Sequence, residues 1–209
     1  MDGDRKRAFL RERLNLIAED VGDHGAHIFV GDRYAASDVE LLAENGITAV
    51  LNCAYDLDVN YVAEHAGGTV VGQETVSYGH APLRVAKVGL IDGPGNPPAL
   101  LEAACHMLEG MLHQALPGGP HYPEHERGNI LVHCQAGMSR SVTVTALYLH
   151  HRYRDRWPDF EGAIDHVRES RQFLPEEYEI APTPGMRDLA ATLHRQLKRD
   201  GRRLFDAGR

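Results

Sequence analysis

Asn129–His133 (NILVH) is a short apolar run that ends on Cys134, and a helical run opens at Arg140 and Ser141 with only five residues between Cys134 and Arg140. A strand that passes into a helix through so short a loop constrains the fold strongly. The strand must lie in a sheet, and the helix must pack back over it. The rest of the chain repeats this alternation. His27–Val30, Ile47–Cys53 and Arg84–Ile91 read as apolar strands. Leu100, Leu101, Ala104, Met107, Leu108, Met111 and Leu112 lie on one face of a long helix, and Phe160–Arg171 and Met186–Lys198 read as further helices. Strands alternating with helices imply an α/β protein whose central, mostly parallel sheet is flanked by helices on both faces.

Some segments are assigned more coarsely. Phe9, Leu10, Leu14, Ile17 and Val21 recur at helical spacing within residues 5–21, predicting an amphipathic helix. The expected organisation is therefore an N-terminal helical extension over 1–25 and one globular domain over 26–209. Ser37-Asp38-Val39-Glu40 has the pattern of a capping box, with Gly46 closing the helix that follows. Residues 55–82 carry no clear period. Pro117–Arg127 and Pro175–Gly185 read as loops because of their Pro, Gly and polar content. Val142, Thr143, Val144 and Thr145 are poor helix formers, so the helix after Arg140 needs tertiary packing to hold it.

The loop Cys134-Gln135-Ala136-Gly137-Met138-Ser139-Arg140 has the make-up of an anion cradle. Its length lets successive backbone N–H groups converge, and the helix start adds its positive end. Gly137 supplies backbone freedom and Ala136 leaves the rim open. Arg140 offers a planar fork of donors that matches two oxygens of a phosphate. The same groups favour the thiolate of Cys134, which then lies beneath the phosphate as a nucleophile. Ser141 is placed to donate to the sulfur, and His133 to orient the loop by hydrogen bonding.

HCQAGMSRS resembles the His-Cys-five residues-Arg-Ser/Thr signature of the protein tyrosine phosphatase superfamily, and its Ala-Gly and Ser-Arg-Ser elements resemble the dual-specificity branch. The stretch HIFVGDRYAASDVELLAENGITAVLNCA is similar to the opening strand, helix and strand of that branch. AIDHVRESR, with Ala163, Val167, Arg168 and Arg171, is similar to its later helices. The resemblance implies hydrolysis of phosphate monoesters through a phosphocysteine on Cys134. It also implies an aspartate general acid after a strand, a place that Asp92 fits; Asp56 and Asp58 fit it less well. Asp92 stands further before Cys134 than in compact members, and Pro117–Arg127 accounts for the extra length. Some relatives protect the nucleophile by a disulfide, which would make Cys53 a redox partner of Cys134. Cys105 reads as packing only.

The resemblance further implies a shallow pocket and a phosphoprotein substrate: phosphotyrosine, together with phosphoserine and phosphothreonine. Gln135 and Met138 are neutral where phosphoinositide phosphatases carry lysines, so a phosphoinositide ranks below a phosphoprotein, as does an RNA 5′-phosphate. A phosphate-binding module without turnover and sulfur transfer of the rhodanese kind are the competing functions.

A formal net charge of −8 disfavours nucleic acid or an anionic membrane as partner. The three cysteines form no C-x-x-C pair, and the charged N-terminus lacks the apolar core of a secretory signal, so a soluble cytoplasmic protein is expected. No cofactor is expected and the chemistry needs no metal. His121, His125 and His133 lie near one another in the chain. His150 and His151 are adjacent on a helix and are expected to point apart, as a poor ligand pair.

Overall fold

The computed structural model describes residues 12–61, 64–71, 74–80, 83–117 and 127–205, with 64–71 and 74–80 described by backbone alone. Five strands form the main sheet in the order β1 (Leu14–Val21), β2 (Ala26–Gly31), β7 (Asn129–His133), β3 (Ile47–Ala54) and β6 (Arg84–Leu90). β2, β7, β3 and β6 run parallel, and β1 joins β2 antiparallel at the edge. β7 holds the centre and reads Ile130, Leu131, Val132 with no polar break, as a strand covered on both faces must. A separate hairpin, β4 (Glu64–Val71) with β5 (Glu74–His80), occupies the stretch for which the sequence showed no period.

Helices cover both faces, as expected. One face carries α3 (Pro98–His113), α4 (Arg140–Arg152), α5 (Phe160–Ser170) and α7 (Pro184–Arg199), whose apolar residues merge with those of the sheet in one core. On the other face, Ala35 and Ala36 of α1 (Arg33–Ala36) and Leu42 of α2 (Val39–Glu44) pack with Phe29, Val50 and Leu131. α4 runs through the middle of the larger core, and every residue from Arg140 to Leu149 is buried. That burial overrides the poor helix propensity of Val142–Thr145. Thr143 also turns its hydroxyl back to the Ser139 carbonyl at 2.9 Å.

Three expectations are corrected. The 1–25 helical extension is not what forms: Leu14–Val21 is a strand, while residues 1–11 lie outside the described residues. Register shifts between Leu16 and Ala18 and between Ala18 and Val21 break the strand's alternation, so it buries Leu14, Ile17, Ala18 and Val21. Two bulges thus give a strand an apolar spacing that looks helical. The expected boundary at 25/26 falls at the turn joining β1 to its partner β2. Second, Asp38 caps α2, accepting from the Leu41 amide at 3.0 Å, whereas Ser37 closes the preceding α1. Third, the connector 175–185 contains α6 (Pro175–Tyr178) and the start of α7, both opened by proline. Residues 118–126 of the expected loop at 117–127 lie outside the described residues.

Candidate active site

Parallel strands open their following loops at one edge of a sheet, and that edge is where α/β folds bind ligands. Here the edge receives Cys134 from β7, Asp56 from the turn after β3, and Asp92 from the loop after β6. α4 begins at Arg140, six residues after Cys134 in the chain.

Cys134 is buried, and its sulfur lies 3.3 Å from the Ser141 hydroxyl. Burial by itself would push the thiol's pKa up. The Ser141 hydroxyl and amide, the Arg140 charge and the Gly137 amide outweigh burial, so the pKa falls below the ordinary thiol value. Cys53 shows the contrast. It is equally buried, and there burial wins, raising its pKa well above the ordinary value. At this edge the surroundings therefore favour the thiolate of one cysteine and disfavour that of its neighbour.

Arg140 is buried at the start of α4. Its Nη1 donates to Asp56 Oδ1 at 2.5 Å and to the Leu90 carbonyl at 3.2 Å. Its Nε is buried with no hydrogen-bond partner among the described residues. The fork is thus anchored on one side and keeps a donor for another acceptor. Burial opposes the guanidinium charge, but Asp56, Cys134 and Asp92 together raise its pKa. Asp56 is in turn held below the usual carboxylate range, first by the hydrogen bond from Arg140. It is an ion-pair partner for Arg140, and a carboxylate kept ionised in this way is a poor proton donor. Asp58 bridges Lys87 at 2.6 Å.

Asp92 is exposed, and its Oδ1 accepts from the Thr183 hydroxyl at 3.2 Å. Thr183 also reaches the cradle: its amide donates to Ser139 Oγ at 3.0 Å, and the two hydroxyls lie 3.3 Å apart. Asn96 clasps the base of the Asp92 loop, accepting from the Ile91 amide at 2.8 Å and donating to the Ile91 and Gly93 carbonyls at 2.8 and 3.1 Å. The first turn of α7 seals the other side. A Cβ on Gly185 would meet the Gly93 carbonyl carbon at 2.6 Å, so only glycine permits this approach.

Within the cradle, Ala136 is exposed on the rim, Gln135 and Met138 are partly buried, and Gly137 and Ser139 are buried. Gly137 adopts φ +65, and its carbonyl accepts from Arg171 Nε at 3.1 Å. His133 is buried directly before the cradle; burial pushes its pKa down to about 4, opposed in part by a hydrogen bond with the Cys134 backbone.

Residues that sequence reasoning missed are Thr183, Asn96, Asn52 and the pairing role of Asp56. Asn52 shapes the turn that carries Asp56, donating to the Leu57 carbonyl and accepting from the Ala54 amide, both at 2.8 Å. The Asn and Thr side chains bond to backbone or to residues far along the chain, which no local pattern reveals.

Comparison with known proteins agrees with this geometry. Residues 120–180 match the model of the dual specificity phosphatase catalytic domain family. Over that stretch the chain is similar to the dual-specificity branch of the protein tyrosine phosphatase superfamily. It is 25% identical over 162 residues to the protein-tyrosine-phosphatase MKP1 of Arabidopsis thaliana, a match covering 77% of this chain and 17% of MKP1. This chain therefore spans about a sixth of that relative's length. Its fold is similar to that of human DUSP28, with TM-score 0.56 and 20% identity over 90% of this chain and 96% of the other. It is also similar to the Yvh1 phosphatase domain from Chaetomium thermophilum, with TM-score 0.54 and 22% identity over 88% and 96% of the two chains. No helix among the described residues is long and apolar enough to cross a membrane.

Proposed function

We propose that this chain is a member of the dual-specificity branch and a cysteine-dependent phosphatase that hydrolyses phosphate monoesters on proteins: phosphotyrosine, and phosphoserine and phosphothreonine as well. The observation that carries the proposal is the fully buried Cys134, whose pKa is nonetheless lowered by Ser141, Arg140 and the Gly137 amide of the cradle.

In the first step the Cys134 thiolate attacks phosphorus. An S–P bond forms as the ester O–P bond breaks, and Asp92 gives its proton to the leaving oxygen. Arg140 and the amides of residues 135–140 hold the equatorial oxygens as charge shifts onto them. In the second step water attacks phosphorus, Asp92 takes the water's proton, and the S–P bond breaks to release phosphate. Ser141 stabilises the departing thiolate by its hydrogen bond. Thr183 and Asn96 keep Asp92 over the cradle between steps. Asp56 fixes the Arg140 fork and leaves proton transfer to Asp92. The neutral Gln135 and Met138 favour a phosphoprotein over a polyanionic inositol phosphate, and three free thiols suit the cytoplasm.

Metal-free hydrolysis of p-nitrophenyl phosphate, wild type beside Cys134→Ser and Asp92→Ala, tests the reading. Turnover by wild type is expected to vanish in Cys134→Ser and to fall by about 10²-fold in Asp92→Ala, the scale of general acid catalysis. Full activity in Cys134→Ser would end the proposal. Full activity in Asp92→Ala, on a substrate with a poor leaving group, would move the acid to another residue.

A further inference from the structure

The last turns of α4 and the middle of α7 bring three histidines together. His150 and His151, adjacent in the chain, were expected to point apart; instead their ring centroids lie 4.9 Å apart. His194 of α7 completes the group, with its ring 5.6 Å from that of His150 and 4.9 Å from that of His151. One nitrogen of each ring lies within 4.8 Å of those of the other two. The expectation considered one helix alone, and the third ring is supplied by a second helix packed against it.

The chemistry of these rings suits them to hold a metal ion. His150 Nδ1 lies 3.1 Å from the Trp157 carbonyl. A carbonyl can only accept, so the proton sits on Nδ1 and the Nε2 lone pair is free, the arrangement usual for a metal-bound imidazole. His151 Nε2 and His194 Nε2 are both buried and lack a hydrogen-bond partner among the described residues. Orphaned buried nitrogens are costly, and a cation would satisfy them. Phe160 walls one side, its ring 5.2 Å from His194.

The geometry points to a binding site for one divalent transition-metal ion of the zinc class, held by His150, His151 and His194. Imidazole nitrogens suit Zn²⁺, Cu²⁺ and Ni²⁺ and not Mg²⁺ or Ca²⁺. Nitrogens bound to zinc at about 2.0–2.1 Å in tetrahedral geometry stand roughly 3.4 Å apart, so small side-chain rotations close the present spread. The fourth position is left to water. One group opposes the ion: the exposed Arg154, whose Nη2 can only donate and lies 3.4 Å from His151 Nδ1, holds the proton on His151 Nε2, so binding at Nε2 requires that Arg154 swing away and the remaining proton sit on Nδ1. The bound ion ties the end of α4 to α7. The first turn of α7 carries Gly185 against the Asp92 loop, so the tie reaches the catalytic edge through the helix.

The test uses the full chain carrying Cys134→Ser, so that no thiolate competes for metal. Chelator-stripped protein is titrated with Co²⁺, read by visible d–d absorption, and the Co²⁺ is then displaced by Zn²⁺ followed by calorimetry. One equivalent is expected to bind with a dissociation constant at or below about 10 µM. At about 100-fold excess over that constant the thermal midpoint should rise by roughly 5 °C or more. His151→Gln and His194→Gln should each weaken binding at least tenfold, with folding checked by circular dichroism. Arg154→Gln, which removes the opposing charge at an exposed position, should tighten it. No binding, or binding unchanged in both histidine variants, would overturn the assignment, as would an Arg154→Gln variant that binds more weakly.

Discussion

Replacing Gly137 by alanine should damage both stability and turnover, and the structure sets the size of each effect. The residue holds φ +65, where a Cβ costs about 1–2 kcal/mol through its clash with the backbone. A Cβ there would also stand 2.6 Å from the Gly31 carbonyl oxygen and 2.7 Å from Arg171 Nη2. Gly31 is backbone at the end of β2. Arg171 is locked in place, donating to the carbonyls of Gly137, Glu12, Arg13 and Val30. Neither neighbour yields cheaply, and overpacking of this kind costs about 1–3 kcal/mol. The sum is about 3 kcal/mol. In a chain of this length that lowers the thermal midpoint by roughly 6–12 °C. If the cradle moves by about 1 Å to relieve the contact, turnover should fall by about 10²-fold. Differential scanning calorimetry and p-nitrophenyl phosphate hydrolysis measure the two effects on one preparation. A variant destabilised by less than about 1 kcal/mol with near-normal turnover would refute the account of why glycine stands here.

Three further outcomes are expected. Thr183→Val removes the hydroxyl that reaches Asp92 and keeps the volume. It should cost only about 1 kcal/mol of stability yet slow phosphotyrosine hydrolysis by about tenfold, as part of the general-acid contribution. Aryl phosphates with good leaving groups should be affected less, and equal slowing of both classes would place Thr183 outside proton transfer. Ser141→Ala removes the strongest influence opposing burial at Cys134, so its pKa should rise and alkylation by iodoacetamide below neutral pH should slow. The sign follows from a folded-state pKa lying below the unfolded value. Deprotonation of Cys134 then favours folding above the unfolded pKa, and this contribution fades as pH falls through the folded pKa. Unchanged alkylation in the variant would contradict the role given to the hydroxyl. Finally, Asn52 pairs with His133 in the β3–β7 register, which sets Cys53 beside Cys134. Peroxide should convert the Cys134 thiolate to a sulfenic acid. The Cys53 thiol should then condense with it, releasing water and forming a disulfide that mass spectrometry detects and dithiothreitol reverses. Absence of the linked peptide would exclude Cys53 as partner.

How much of this was legible in the sequence depended on how local each signal is. β7, the loop 134–140 and α4 are contiguous, and their order alone places a cysteine, a small-residue loop and an arginine about one point. Asp92 was readable because a strand and a Gly/Pro loop flank it. Thr183 was not, because its partners Ser139 and Asp92 are distant in the chain and its own segment reads as a proline-rich connector. Asp56 was weighed as an acid, and its role was decided only by the Arg140 ion pair, which requires β3, β6 and α4 to be in place together. The histidine cluster was misjudged for the same reason: adjacency along one helix says nothing of a third ring arriving from another.

The error over the N-terminal segment has the most functional weight. Read as part of an N-terminal helical extension, Leu14–Val21 would stand outside the catalytic domain. As β1 it lies within reach of the cradle's support. Arg171 is buried, and one guanidinium joins the Gly137 carbonyl of the cradle, the Val30 carbonyl of β2, the carbonyls of Glu12 and Arg13, and the Asn15 side chain of β1. A buried guanidinium is tolerable only when its donors are satisfied. Backbone carbonyls from three separate segments satisfy this one, so the edge strand and the phosphate cradle share a single buried cation and cannot be separated at a domain boundary. In the sequence Arg171 was noted for its place in a helix that resembles the family's, with no partner assigned to it. What gives it meaning is the bulged strand that brings Asn15 inward, and bulges leave no mark in a hydrophobic period except to imitate a helix.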